Sequence, residues 1–196
     1  MTSRSVLRRA ARLGRAGGIF DTKFLQHHFS SVASRLPELK LAPESAATLL
    51  EVERAYGVEV FGVVYPEDEI WVTLVDPKTG KIVGYFEASV ATSVGLRYLE
   101  REELGCGMRW RKMGKPVVWA VSYADVAPSW QRKGIATRVY EAIALHVLSQ
   151  GAVLVQHACV GGATSGRASK VWTALCREFV CMREDMIVGR KEKVTP

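Results

Sequence analysis

No apolar run in this chain reaches the roughly 18 to 20 residues that a helix needs to cross a bilayer, so the expectation is a soluble protein with no membrane span. Cysteine is scarce and unpatterned: Cys106, Cys159, Cys176 and Cys181 form no C-x-x-C pair and follow no secretory signal. That spacing argues for unpaired thiols in a reduced compartment, against a disulfide framework and against a zinc site, so no metal is expected. Neither Gly-Lys-Ser/Thr nor G-x-G-x-x-G occurs, which excludes a Walker loop and a dinucleotide fingerprint. Internal repeats and low-complexity stretches are also missing. With 196 residues and 48% apolar content, the chain can bury one substantial core, or one domain plus an extension.

Acidic residues are absent before Asp21, whereas Arg4, Arg8, Arg9, Arg12 and Arg15 all fall in that stretch. Five of the 27 basic residues thus sit in a tail, leaving 22 against 20 acidic residues in the body. The net charge of +7 belongs to the tail, and the body is no general polyanion binder. At about 100° per residue, Arg4, Arg8, Arg12 and Arg15 share one helical face and Val6, Ala10 and Leu13 another, until Gly17-Gly18 ends the pattern. Three readings stay open: a mitochondrial presequence, a basic arm for nucleic acid or an anionic surface, and a plain leader. A cytoplasmic location is expected, or the mitochondrial matrix if the tail is a presequence. As a nucleic-acid arm, residues 1–16 should confer salt-dependent RNA or DNA binding. Filter binding at two salt concentrations, before and after their removal, checks this; unchanged binding eliminates the arm.

Beyond Gly18 the pattern alternates between helix and strand periods. Residues 19–41 read as an N-terminal helical extension, with apolar positions from Phe24 to Leu36 at helical spacing, and 42–196 as the main domain. Pro43 opens a helix that Gly57 ends, with Leu49, Leu50, Val52 and Tyr56 turned inward. Strands are expected at Val58 to Tyr65, Ile70 to Val75 and Lys81 to Ser89, the last two joined by the turn Asp76-Pro77-Lys78-Thr79-Gly80. An irregular insert, Val90 to Lys115, holds a charged helical segment near Leu96 to Leu104. Then come a strand (Pro116 to Val126), a helix (Gly134 to Gln150), a strand (Ala152 to Val160), a helix (Ser165 to Phe179) and a last strand near Cys181 to Val188. Periodicity alone supports α+β or α/β.

The most informative stretch is Val126 to Glu141, V-A-P-S-W-Q-R-K-G-I-A-T-R-V-Y-E. Here an apolar strand breaks into a glycine-containing turn and then a helix. The first helical N–H groups lack intrahelical partners and carry the positive end of the macrodipole, so the turn is an anion site. Arg132 and Lys133 add full charge there, and Gly134 lets a diphosphate approach the backbone.

This segment resembles the phosphate-binding motif of the GNAT acyltransferase superfamily, (Q/R)-x-x-G-x-(G/A), including the hydrophobic-x-Pro lead-in, here Val126-Ala127-Pro128. The resemblance covers roughly Ala42 to Gly189 and implies a GNAT-like fold, a mixed sheet of about six strands flanked by helices. It implies acetyl transfer from acetyl-CoA to a primary amine by direct attack. Gln131, Arg132, Lys133, Gly134, Ile135, Ala136 and Thr137 would bind the diphosphate, and Asp125 and Val126 the pantetheine arm. A backbone N–H near Val126 would donate to the oxyanion.

The proton-transfer positions depart from the family pattern. The usual Glu, about eleven residues before the motif, is Ala120 here. The usual Tyr on the later helix is Trp172, whose indole only donates. The usual Asn is Thr164 or Ser165. A CoA thiol, with a pKa of roughly 8.5 like cysteine, can leave unprotonated, but an amine near 10.4 needs a base. Tyr123, Asp125 and His157 are the candidate catalytic residues. Each has a structural rival: Tyr123 a core aromatic, Asp125 a pin for the strand end, His157 a backbone-satisfied core histidine. Glu87 is expected on an edge or solvent face, Cys159 as apolar filler, and Trp172 against the donor site or core. A catalytically inactive GNAT-like protein with a structural or nucleic-acid-associated role is the alternative. The amine-bearing acceptor (small molecule, protein or aminoacyl group) is left open. Pairing of an exposed edge strand is a route to a homodimer.

Overall fold

A computed structural model describes residues 34–65, 68–101, 105–183 and 185–192. The basic tail (1–18) and nearly all of the expected N-terminal helix lie outside the described residues. The elements run β1 (Ser34–Arg35), a 3₁₀ turn, α1 (Pro43–Tyr56), β2 (Glu59–Tyr65), β3 (Glu69–Asp76), β4 (Lys81–Val90), α2 (Ser93–Arg101) and α3 (Cys106–Lys112). They continue with β5 (Val118–Val126), a 3₁₀ turn, α4 (Ile135–Ser149), β6 (Val153–Val155), a 3₁₀ turn (His157–Val160), α5 (Gly166–Glu178), β7 (Phe179–Met182) and β8 (Met186–Arg190). The architecture is α+β: one mixed sheet in the order β1-β2-β3-β4-β5-β6-β8-β7, in which β5 and β6 are the parallel pair.

The sheet has eight strands rather than about six. One addition is the short edge strand β1, where Ser34 and Arg35 pair with Gly62 and Phe61. The helical spacing up to Leu36 yields there to tertiary backbone pairing, reinforced by Arg35 reaching Glu53 and Glu59 at 3.6 and 3.5 Å. The other arises because the expected last strand is a hairpin, β7 folding back on β8. The strand expected at Ala152 to Val160 stops at Val155. Only its first apolar residues find ladder partners, on β5 and β8. From His157 the backbone closes on itself, with Cys159 N–H donating to Gln156 O at 2.9 Å.

Local signals place α1. Pro43 occupies the first turn, where its missing N–H costs nothing, and Gly57 ends the helix at φ 63° with its N–H on Glu53 O. Leu49 and Val52 are buried, but Leu50 faces outward. Helices α1 and α4 cover one face of the sheet, where Leu49, Val52, Val139 and Ile143 meet Val72, Phe86, Trp119 and Leu154. Across the other face of β5, β6 and β8 lies the insert, whose Leu99, Cys106 and Trp110 pack on Val118, Ala120, Val153 and Met186. Residues 118–121 alternate between these two clusters, as a strand buried on both faces must.

The cysteines are not unpaired: Cys106 bridges to Cys159 and Cys176 to Cys181. The first bridge joins α3 to the turn after β6, across 53 residues; the second spans the corner from α5 into β7. Tertiary approach makes these pairs, so their spacing carries no signature, and the expectation of a reduced compartment loses its basis. Cys159 is half of a bridge, not apolar filler.

His146 on α4 is buried, and its Nδ1 accepts the backbone N–H of Ala42 at 3.1 Å. Burial lowers its pKa below the ordinary value of 6.5. The unfolded chain therefore binds this proton first, and stability falls as pH drops below about 6.5 until the folded-state pKa is passed. Thermal melts from pH 7.5 to 5 should show that decline, and His146→Gln should flatten this part of it.

Candidate functional site

The site begins where β5 parts from β6. Val118, Trp119 and Ala120 pair with Val153, Leu154 and Val155, and there β6 ends. On its other side β5 stays paired with β4 as far as Val126, opposite Gly84. Beyond Ala120, on the side toward α5, no strand among the described residues pairs with β5.

The strand leads into the turn singled out above. Gln131 has φ −68°, Arg132 +62° and Gly134 +83°, with Lys133 between them on the negative side. Positive φ at Arg132 and Gly134, alternating with negative φ at their neighbours, is a pattern that suits a concave nest of N–H groups. Arg132 is a non-glycine residue held at positive φ, a conformation that persists only where surrounding contacts impose it. Those contacts are visible: Gln131 Nε2 donates to Val126 O at 2.7 Å, and Arg167 donates to Gln131 Oε1 at 3.0 Å. From behind, the Tyr56 hydroxyl donates to Lys133 O at 2.9 Å. No side chain caps the start of α4, so its first N–H groups stay available to a ligand.

A cavity of about 900 Å³ opens over this turn. Asp125, Val126, Gln131, Arg132, Gly134, Ile135, Ala136 and Thr137 all line it; Lys133 does not, its ammonium lying 4.9 Å from the centre of the Trp130 ring. Phe86 and Tyr140 also line it and meet edge-on at 6.2 Å, and Trp172 packs edge-on behind Tyr140 at 6.3 Å. Burial pushes Tyr140 up to about 12, so its hydroxyl stays protonated near neutrality.

Arg167 and Lys170, at the start of α5, face the turn across the cavity, and sequence reasoning missed both. A signal was present: basic residues near a helix N-terminus oppose the macrodipole, and no acid accompanies them there. Tyr56, 77 residues from its partner, offered no such signal.

The three candidate catalytic residues are not assembled in one place. Asp125 is exposed, and its Oδ1 accepts the N–H of Val126 at 2.9 Å, so the carboxylate pins the strand end. The same bond occupies the N–H expected to serve an oxyanion. Tyr123 stands opposite Glu87, its ring 5.7 Å from that of Tyr85. His157 is half-buried in the turn after β6, packed on Gly162 and outside the cavity lining, rather than on a strand. Glu87 is half-buried beside a β-bulge, its carboxylate accepting the Ser122 hydroxyl. Trp172 is fully buried.

Cys106, Cys159 and Asp185 bring potential metal-ligand atoms within 4.8 Å of one another, but the two sulfurs are joined to each other there. No family model, curated protein or solved structure matched this chain in comparisons with all three.

Proposed function

We propose that this protein is a GNAT-like N-acyltransferase that moves an acetyl group from acetyl-CoA to a primary amine by direct attack. The observation that carries the reading is the turn at Gln131–Ile135, whose alternating φ suits an anion nest, set at the mouth of a cavity where β6 leaves β5. Its N–H groups, the Arg132 guanidinium and the start of α4 suit a diphosphate. From there the side of β5 that β6 leaves suits an amide-bearing arm, which would lie along it as an added strand does. At about 3.3 Å per residue, the stretch from Val126 back to Ser122 offers about 13 Å, on the scale of an extended pantetheine arm. That path leads the thioester toward the bulge. Because Val126 N–H is engaged by Asp125, the oxyanion donor is to be sought in another backbone group of the strand. Arg167 and Lys170 suit further phosphate charge across the cavity.

The chemistry needs little acid assistance, since a CoA thiolate is a good leaving group. It does need an amine freed of its proton. Titration calorimetry with acetyl-CoA tests the donor half directly, with micromolar binding expected. No heat from a folded protein would discard the enzyme and leave a structural role for the fold.

A further inference from the structure

The position that usually supplies a base is Ala120, and here it is sealed beneath the insert, 3% exposed against Leu99 and Trp110. Any proton acceptor must come from elsewhere. Between β4 and β5 the register slips: Ala88 faces Val121 and Glu87 faces Tyr123, leaving Ser122 as the extra residue. Such a bulge re-aims side chains and is common beside active sites. Here it turns the Ser122 hydroxyl onto Glu87, donating to Oε1 at 2.8 Å. The buried Tyr85 hydroxyl lies 3.5 Å from Oε2. Burial, then the nearby carboxylates of Glu87 and Glu69, drive the Tyr85 pKa far up, so this hydroxyl stays a donor. Glu87 thus carries a half-buried carboxylate gripped by two hydroxyls. It is one residue from Phe86, which lines the donor cavity, but on the opposite face of the sheet.

We propose that Glu87 is the proton acceptor for the incoming amine, that Ser122 and Tyr85 position it, and that the acceptor is a cationic alkylamine approaching from the side of the sheet that carries Glu87. The inference rests on the acyltransferase reading. The ammonium gives one proton to Glu87, and the freed nitrogen lone pair forms the N–C bond while the carbonyl pair moves onto oxygen. Collapse breaks the C–S bond and expels the thiolate, and the second nitrogen proton passes to the thiolate or to water. Glu87 returns its proton to solvent.

The test compares wild type with Glu87→Gln on two kinds of nucleophile. One kind is protonated at neutral pH (n-butylamine, spermidine and a lysine peptide); the other is hydroxylamine, which is not. Glu87→Gln should lose 100-fold or more in kcat toward the alkylamines, as for loss of a general base, and regain rate as pH rises. Acetyl-CoA affinity should be unchanged, and the loss toward hydroxylamine should be at least tenfold smaller than that toward the alkylamines. Equal losses toward both kinds, or none, would overturn the assignment. Transfer to neither kind by a wild type that binds acetyl-CoA would also overturn it, whereas failure to bind acetyl-CoA marks failure of the acyltransferase reading itself.

Discussion

Gly134→Glu should abolish acetyl-CoA binding, weakening it at least 100-fold, or about 2.7 kcal/mol. Three effects act together at this residue. Its backbone sits at φ 83°, where a side chain costs about 1 to 2 kcal/mol, so the φ alternation of the turn is disturbed. A Cβ would also stand 3.3 Å from the Tyr56 hydroxyl that holds Lys133 O, pressing on the brace of the turn. Finally, a carboxylate at the mouth of the nest repels a diphosphate and can itself occupy the anion site. Gly134→Ala separates these effects, because it carries the backbone and steric costs without the charge. Calorimetry should rank wild type, then alanine, then glutamate, with both variants folded by circular dichroism. Equal affinities for all three would place the donor elsewhere.

Trp172→Ala should cause the largest loss of stability, about 3 to 5 kcal/mol, as for other buried large-to-small aromatic changes. The side chain is 1% exposed and meets Tyr140 edge-on, and Tyr140 meets Phe86 in the same way. This row of rings spans from α5 through α4 to β4 beneath the cavity. Its removal leaves a void between α5 and α4, and α5 carries Arg167 and Lys170 across from the nest. Denaturant melts should report the stability loss, and acetyl-CoA affinity should fall with it because the far wall of the cavity loses its support. Trp172→Phe should recover most of the stability, since a ring still fills the space. A stable alanine variant with full affinity would contradict this account of the wall.

Features built from neighbouring residues were legible in the sequence. Pro43 and Gly57 bound α1 because caps depend on the few residues around them. The Asp76–Gly80 turn joins β3 to β4 because Asp76 closes it with its own side chain on Lys78 N–H and Thr79. The strand–turn–helix at Val126 to Glu141 was legible for the same reason: Gly134, the helix start and the charges of Arg132 and Lys133 all lie within a few residues. Tertiary structure alone decided what depends on distant partners. It joined Cys106 to Cys159, set Tyr56 behind Lys133 and ended β6 at Val155, where it leaves β5. It also withdrew His157 from the strand and from the cavity lining, and brought Ser122 onto Glu87 through a one-residue slip of register. Periodicity cannot show such a slip, because it records which face a residue takes and not which residue stands opposite. The turn proposed for the donor is therefore local chemistry written in order along the chain, while the proposed acceptor side exists only once β4 and β5 are paired.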